Sequence, residues 1–292
     1  AIKLQKLGFK PTLANTDFWI RKCNDHYEYI ATYVDDLMVY SKDCQTIIDK
    51  IEKDYILKGT GRPEYYLGGD IDHLDDQWEK DGIRMALSAR TYIENVTEKL
   101  EAMMGVTAFA THSTPMRDVY HPEMDETPFL DSVGASKYRA IIGSANWIIT
   151  LGRFDIAYAT NALSRFSMQP REGHMKAAQH MFGYLKKFAK GRIIIDPNYR
   201  DNTQHMDKVG NYDNWKEFYA DAEEDIPFNV ITPLGLPARI TIFKDADHAY
   251  DLLTRRSVTG VLLMVNNTPA KWISKRQKTV ETSTYGSEMV AG

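Results

Sequence analysis

The stretch Tyr27-Glu28-Tyr29-Ile30-Ala31-Thr32-Tyr33-Val34-Asp35-Asp36-Leu37-Met38-Val39-Tyr40 decides the reading of the fold. Tyr27, Tyr29, Ala31 and Tyr33 fall on one face at period two, and Glu28, Ile30, Thr32 and Val34 on the other, with β-branched and aromatic types dominant. That pattern predicts a β-hairpin with its turn at Asp35-Asp36 and an apolar return strand through Tyr40. Ser41-Lys42-Asp43 then breaks the strand and opens a helix marked by Ile47, Ile48, Ile51 and Tyr55. Aspartate is a common turn residue, so a plain polar turn would explain the pair. Adjacent carboxylates at the tip of an apolar run also repel one another, and hard divalent cations are the natural compensation.

Working outward, a strand is predicted over Tyr65–Ile71 and another over Ile83–Leu87, separated by an acidic turn. Residues 88–195 read as mostly helical. Ser88 is the expected N-cap of a helix carrying Tyr92, Ile93, Val96, Leu100 and Met103 on one face. Tyr138, Ile141, Ile142, Ala145, Ile148 and Ile149 mark a second helix, and further helices are expected over 155–167 and 172–188. Residues 196–239 are acidic and interrupted by prolines at 197, 227, 233 and 237, which predicts an insertion or linker. Strands return at Ile240–Lys244, Val258–Val265 and Ala270–Ile273, with a helix starting near Thr284.

Several motifs recur in a recognisable order. Leu7-Gly8-Phe9-Lys10, Tyr33-Val34-Asp35-Asp36, Tyr66-Leu67-Gly68-Gly69-Asp70-Ile71, Ser113-Thr114-Pro115-Met116, Tyr138-Arg139 and Gly143-Ser144 are followed by Phe154-Asp155-Ile156-Ala157 and Leu163-Ser164-Arg165-Phe166. Asp245-Ala246-Asp247, Arg256-Ser257-Val258-Thr259-Gly260 and the run Trp272 to Val280 complete the series. In order and approximate spacing this resembles the reverse transcriptase and the start of the ribonuclease H of copia-type LTR retrotransposon Pol polyproteins, over nearly the whole chain except 196–239.

The resemblance implies an α+β fold in four parts. Residues 1–87 would be the C-terminal part of a polymerase palm with an antiparallel sheet, and 88–195 a helical thumb and connection. Residues 196–239 would be the acidic insertion or linker, and 240–292 the N-terminal part of a ribonuclease H-like α/β domain. It implies that Asp35 and Asp36 are catalytic and hold Mg²⁺ (or Mn²⁺) for two-metal nucleotidyl transfer, two ions per site in the complete enzyme. A third aspartate would lie upstream, in palm strands absent here. Asp245 and Glu288 would be the corresponding metal-holding catalytic pair of ribonuclease H, with Asp247 a second choice for the first position. The segment around Glu288 and His248 both depart from the family pattern. The implied partners are an RNA–DNA primer-template, dNTP and the remainder of the polyprotein, in the cytoplasm and within a virus-like particle.

For nucleic-acid contact the same motifs imply Tyr33, the primer-grip residues Leu67, Gly68 and Gly69, and Gly143 with Trp147. Glycine in such a hairpin lets a backbone approach closely. Gly143 and Trp147, four apart on one helix, suit a helix lying along a duplex, while a helix-packing notch and a core tryptophan would explain them equally. Lys271, Lys275, Arg276 and Lys278 around Trp272 form the densest basic-aromatic cluster. A solvated strand edge guarded by lysines is the alternative.

Composition bounds these readings. The 292 residues, 43% hydrophobic, suffice for a sizeable core, and a formal net charge of −4 leaves any phosphate binding to local patches. Cys23 and Cys44 form no spaced metal motif, the histidines show no zinc-ligand spacing, and a reducing compartment is expected. No apolar stretch approaches a membrane span, so no membrane partner is expected. A start at Ala1 and a stop at Gly292 suggest a piece of a longer polyprotein, inactive in isolation. The alternative to an active element is a decayed or domesticated remnant that binds nucleic acid without catalysis.

Overall fold

Alternation along Tyr27–Tyr40 is realised as two strands joined by a two-residue turn. β3 (Tyr27–Tyr33) pairs antiparallel with β4 (Asp36–Tyr40), from Tyr29 opposite Tyr40 to Tyr33 opposite Asp36. The turn is Val34-Asp35, and Val34 takes a positive φ of 51°, the twist that tight hairpins require. In this computed structural model, residues 1–74, 85–118, 120–198 and 230–292 are described. Two short strands not anticipated from the sequence, β1 (Lys10–Pro11) and β2 (Phe18–Lys22), extend the sheet in the order β1-β2-β3-β4. The helices α1 (Ile2–Lys6) and α2 (Cys44–Glu52) contribute to the same core, which unites Leu4, Phe9, Trp19, Ile30, Ile47 and Ile51. Asp43 caps α2 by accepting the Thr46 amide hydrogen.

A second sheet runs β5-β6-β7-β8, all antiparallel: β5 (Tyr65–Tyr66), β6 (Gly69–His73), β7 (Met85–Ser88) and β8 (Arg192–Ile195). The single strand expected over Tyr65–Ile71 is therefore two, folded at Leu67-Gly68. Ile83 and residues 199–229 of the acidic segment lie outside the described residues. The helices are α3 (Arg90–Met104), α4 (Ser132–Thr150), α5 (Ala157–Ser164) and α6 (Glu172–Lys187). They bury Ile93, Tyr138, Ile141, Ile148, Leu163 and Phe182 in one core. Ser88 does not cap α3. It ends β7, and the carboxylate of Asp70, arriving from β6, accepts the Thr91 amide hydrogen at 2.9 Å.

The third sheet, β11-β10-β9, joins β9 (Ile240–Asp247), β10 (Val258–Val265) and β11 (Thr268–Arg276), followed by α7 (Thr284–Ala291). β9 and β11 run longer than the sequence suggests. Ser283 caps α7 through the Gly286 amide. The described residues thus hold three antiparallel sheets and seven α-helices, a mixed α+β chain. Two compact units emerge, one of Ala1–Pro63 with the described part of Asp201–Pro237, the other of Glu64–Arg200 and Ala238–Gly292. No described helix is long and apolar enough to cross a membrane.

Candidate functional site

The first group stands at the tip of the β3-β4 hairpin. Asp35 lies in the turn and Asp36 opens β4, both exposed beside the exposed Tyr33. Among the described residues neither carboxylate has a hydrogen-bond or ion-pair partner. Adjacent oxygen donors without a protein cation are compatible with a hard divalent ion.

The second group is built by β9 and α7. The Ala246 amide lies 2.9 Å from Asp245 Oδ1 and 3.3 Å from Glu288 Oε1. One N–H thus brings together two carboxylates remote in sequence. Asp245 and Asp247, two apart on β9, line a cleft of about 430 Å³ with Phe154, Tyr158, Leu262 and Trp272. Lost hydration in the cleft, then the Asp245 charge, push the Asp247 carboxyl above the usual carboxylate range, against the pull of His121 and His248. The donors are again hard oxygens, gathered at the end of a strand.

The third group joins the β5-β6 turn to α4. Leu67 and Gly68 both take positive φ, 49° and 88°, and Tyr66 pairs with Gly69. A Cβ on Gly68 would stand 3.2 Å from Trp147 Nε1 and 3.7 Å from Leu151 Cδ1. The close approach that glycine permits here is made to the Trp147 indole. Trp147 itself is 42% exposed, and the space over Gly143 is open. These two positions are therefore neither a core tryptophan nor a helix-packing notch. Gly143 and Trp147, four apart on α4, are both exposed, and the hairpin tip approaches the helix at Trp147.

The basic cluster on β11 and just after it divides. Lys271, Lys275 and Lys278 are exposed, while Trp272 packs on Phe154 with ring centroids 5.3 Å apart. Arg276 donates to Asp251 Oδ2 at 2.9 Å, and Arg165, the C-cap of α5, donates to the same oxygen. Asp251, with its side chain 2% exposed, also accepts the Thr254 amide hydrogen. Burial opposes its charge, but the Thr254 hydrogen bonds and the two guanidinium groups hold its carboxyl well below the usual range. Arg165 reaches Glu123 as well, and Glu123 accepts from Leu252 N and approaches His121 Nδ1. Arg276 is thus occupied in an ion-pair network.

Histidines 174 and 180 are ordinary interior residues: His174 meets Pro122 O, and His180 meets Thr114 O and stacks on His112. A group that the sequence reading passed over lies at the β2-β3 turn. Cys23, His26 and Glu28 place one potential ligand atom each within 4.8 Å of the others. The signal available was Cys-x-x-His-x-Glu astride a turn, visible only once the strand register is known.

Fold and sites together define a mixed α+β chain with carboxylate pairs on two separate sheets. Comparison with known proteins gives its relatives. It is 28% identical over 186 residues to a putative transposon Ty5-1 protein of Saccharomyces cerevisiae, covering 62% of this chain and 56% of that protein. It is 24% identical over 288 residues to the retrovirus-related Pol polyprotein from transposon RE1 of Arabidopsis thaliana, covering 98% of this chain and 16% of the polyprotein. The corresponding polyprotein from transposon TNT 1-94 of Nicotiana tabacum is 25% identical over 281 residues, covering 94% and 18%. The chain is a distant homologue of copia-type Pol polyproteins, spanning about half of the first relative and under a fifth of the two polyproteins. No family model matches, and no solved structure matches.

Proposed function

We propose that this chain is the portion of a copia-type Pol polyprotein that joins an RNA-directed DNA polymerase to a ribonuclease H. The observation that carries the reading is the convergence of Asp245 and Glu288 on the Ala246 amide, in a chain that is related to Pol polyproteins and that also exposes Asp35 and Asp36 at a hairpin tip. Asp35 and Asp36 would hold Mg²⁺ or Mn²⁺ for nucleotidyl transfer, and Asp245 and Glu288 would do so for phosphodiester hydrolysis. Such ions polarise phosphoryl oxygens and activate the attacking hydroxyl or water. The chain's own residues fix positions. The short turn presents both hairpin aspartates at the strand end, and the Ala246 amide orients the second pair. Leu67-Gly68, Gly143 and Trp147 offer a low surface on which a primer-template duplex would lie, with Tyr33 beside the hairpin aspartates. Lys271, Lys275 and Lys278 supply phosphate neutralisation.

In the intact polyprotein, Asp35→Asn or Asp36→Asn should abolish nucleotide incorporation and leave duplex binding nearly unchanged, because the ions serve the chemical step. Asp245→Asn should abolish cleavage of an RNA–DNA hybrid while incorporation persists. Normal cleavage by Asp245→Asn would overturn the ribonuclease H assignment. Duplex binding without either reaction in the unmutated polyprotein would favour the non-catalytic remnant.

A further inference from the structure

Cys23 and His26 close the turn between β2 and β3: the Cys23 amide donates to the His26 carbonyl at 2.9 Å, and the next pairs are Lys22 with Tyr27 and Arg21 with Glu28. The register puts Cys23, His26 and Glu28 on one face, where thiol, imidazole and carboxylate ligand atoms lie within 4.8 Å of one another. Two details set this group apart from a chance cluster. His26 Nε2 is buried and has no hydrogen-bond partner, whereas His26 Nδ1 meets Asp25 Oδ1 at 2.6 Å. A carboxylate on Nδ1 fixes the tautomer in which Nε2 carries a lone pair, the arrangement that outer carboxylates impose on metal-binding histidines. Glu28 is likewise oriented from outside: Arg21 Nε donates to Oε2 at 2.7 Å and Ser41 Oγ to Oε1 at 2.6 Å. Arg21 Nη2 also meets Oε2 at 2.5 Å, so Oε1, with one hydrogen bond accepted, is the oxygen that keeps a lone pair for an ion.

We propose that Cys23, His26 and Glu28 form a zinc site, with Cys23 Sγ, His26 Nε2 and one Glu28 oxygen as ligands and a fourth position left for water. A sulfur, nitrogen and oxygen set matches the borderline softness of Zn²⁺ and disfavours Mg²⁺. Ligands about 2.0–2.3 Å from a tetrahedral ion stand roughly 3.5 Å apart, so small side-chain rotations bring this group into range. Binding replaces the Cys23 thiol proton, which passes to solvent. The site is separate from the aspartate tip, since β3 spans seven residues between the two turns, about 20 Å at roughly 3.3 Å per residue. Its effect is to pin the β2-β3 turn.

The test uses the 292-residue chain with Zn²⁺ alone, and Cd²⁺ as an optical probe. The expected result is one Zn²⁺ per chain, a cadmium–thiolate absorption band on titration with Cd²⁺, and zinc protection of Cys23, but not Cys44, from alkylation. Asp25→Asn should weaken Zn²⁺ binding about 10–100-fold as an outer-sphere change. Cys23→Ser and His26→Gln should weaken it further, and Cys44→Ser should leave it unchanged. Absence of the cadmium band and of Cys23 protection in the unmutated chain would overturn the site, a readout independent of whether any variant folds. So would zinc binding by Cys23→Ser and His26→Gln equal to that of the parent, which would leave the group as an ion pair and a turn.

Discussion

Asp247 shows how a single residue reports the chemistry of the cleft. Its carboxyl titrates high because hydration is lost and Asp245 stands two residues before it. A folded-state value above the unfolded one means that the charged form destabilises the fold. The penalty is present above the folded value and disappears as pH falls below the unfolded value of about 4. Asp247→Asn should therefore raise Tm at pH 7, with the gain vanishing at pH 3. An equal gain at both values would assign the effect to packing. The carboxylate chemistry was legible in the sequence, since Asp245-Ala246-Asp247 places both acids on one face of a strand. The approach of Glu288 was not, because it depends on how α7 packs on β9. Arg276 was read from its basic neighbours, and its partner Asp251 comes from a loop that no local pattern connects to it.

At the scale of elements, the β5-β6 turn and the Asp251 network make opposite demands. Leu67 occupies a left-handed conformation that costs an L-residue about 1–2 kcal/mol. Leu67→Gly would relieve that strain but add about 0.5–1 kcal/mol of backbone entropy, so stability should change by no more than about 1 kcal/mol. Gly68→Ala meets both a φ of 88° and the Trp147 indole, and should destabilise by about 1–2 kcal/mol while shifting Trp147 fluorescence. Asp251 is different, being a buried charge whose removal strands Arg165 and Arg276. Asp251→Asn should cost about 3–5 kcal/mol at pH 7 by denaturant unfolding. Its folded value is depressed, so its contribution is complete above the unfolded value of about 4 and is lost as pH falls through the lower folded value. The parent should thus converge on the variant in acid. Sequence periodicity found the Tyr27–Tyr40 hairpin because one alternating face and a polar turn agree. It missed β1, β2 and β8, which are short and defined by their partners, and it assigned the α3 cap to Ser88 because Asp70 reaches that end through the sheet.

For the whole molecule, the chain closes two cores of its own. One unites Leu4, Phe9, Trp19, Ile30, Ile47 and Ile51, and the other is built on α3, α4, α5 and α6. The sequence distinguished strand-rich and helical segments by their periods. Placing residues 64–88 with the helices required the pairing of β7 with β8, a contact between segments far apart in the chain. The chain divides into two compact units, each with a core of its own, so calorimetry of the 292-residue chain should resolve two transitions. Ile30, fully buried, should lose about 2–5 kcal/mol as Ile30→Ala and lower one transition only. Asp251→Asn should lower the other only. The two variants together should then lower both by the amounts seen singly, because Ile30 packs in one core and the partners of Asp251 lie in the other unit. A single transition moved by either substitution would show that the cores unfold as one.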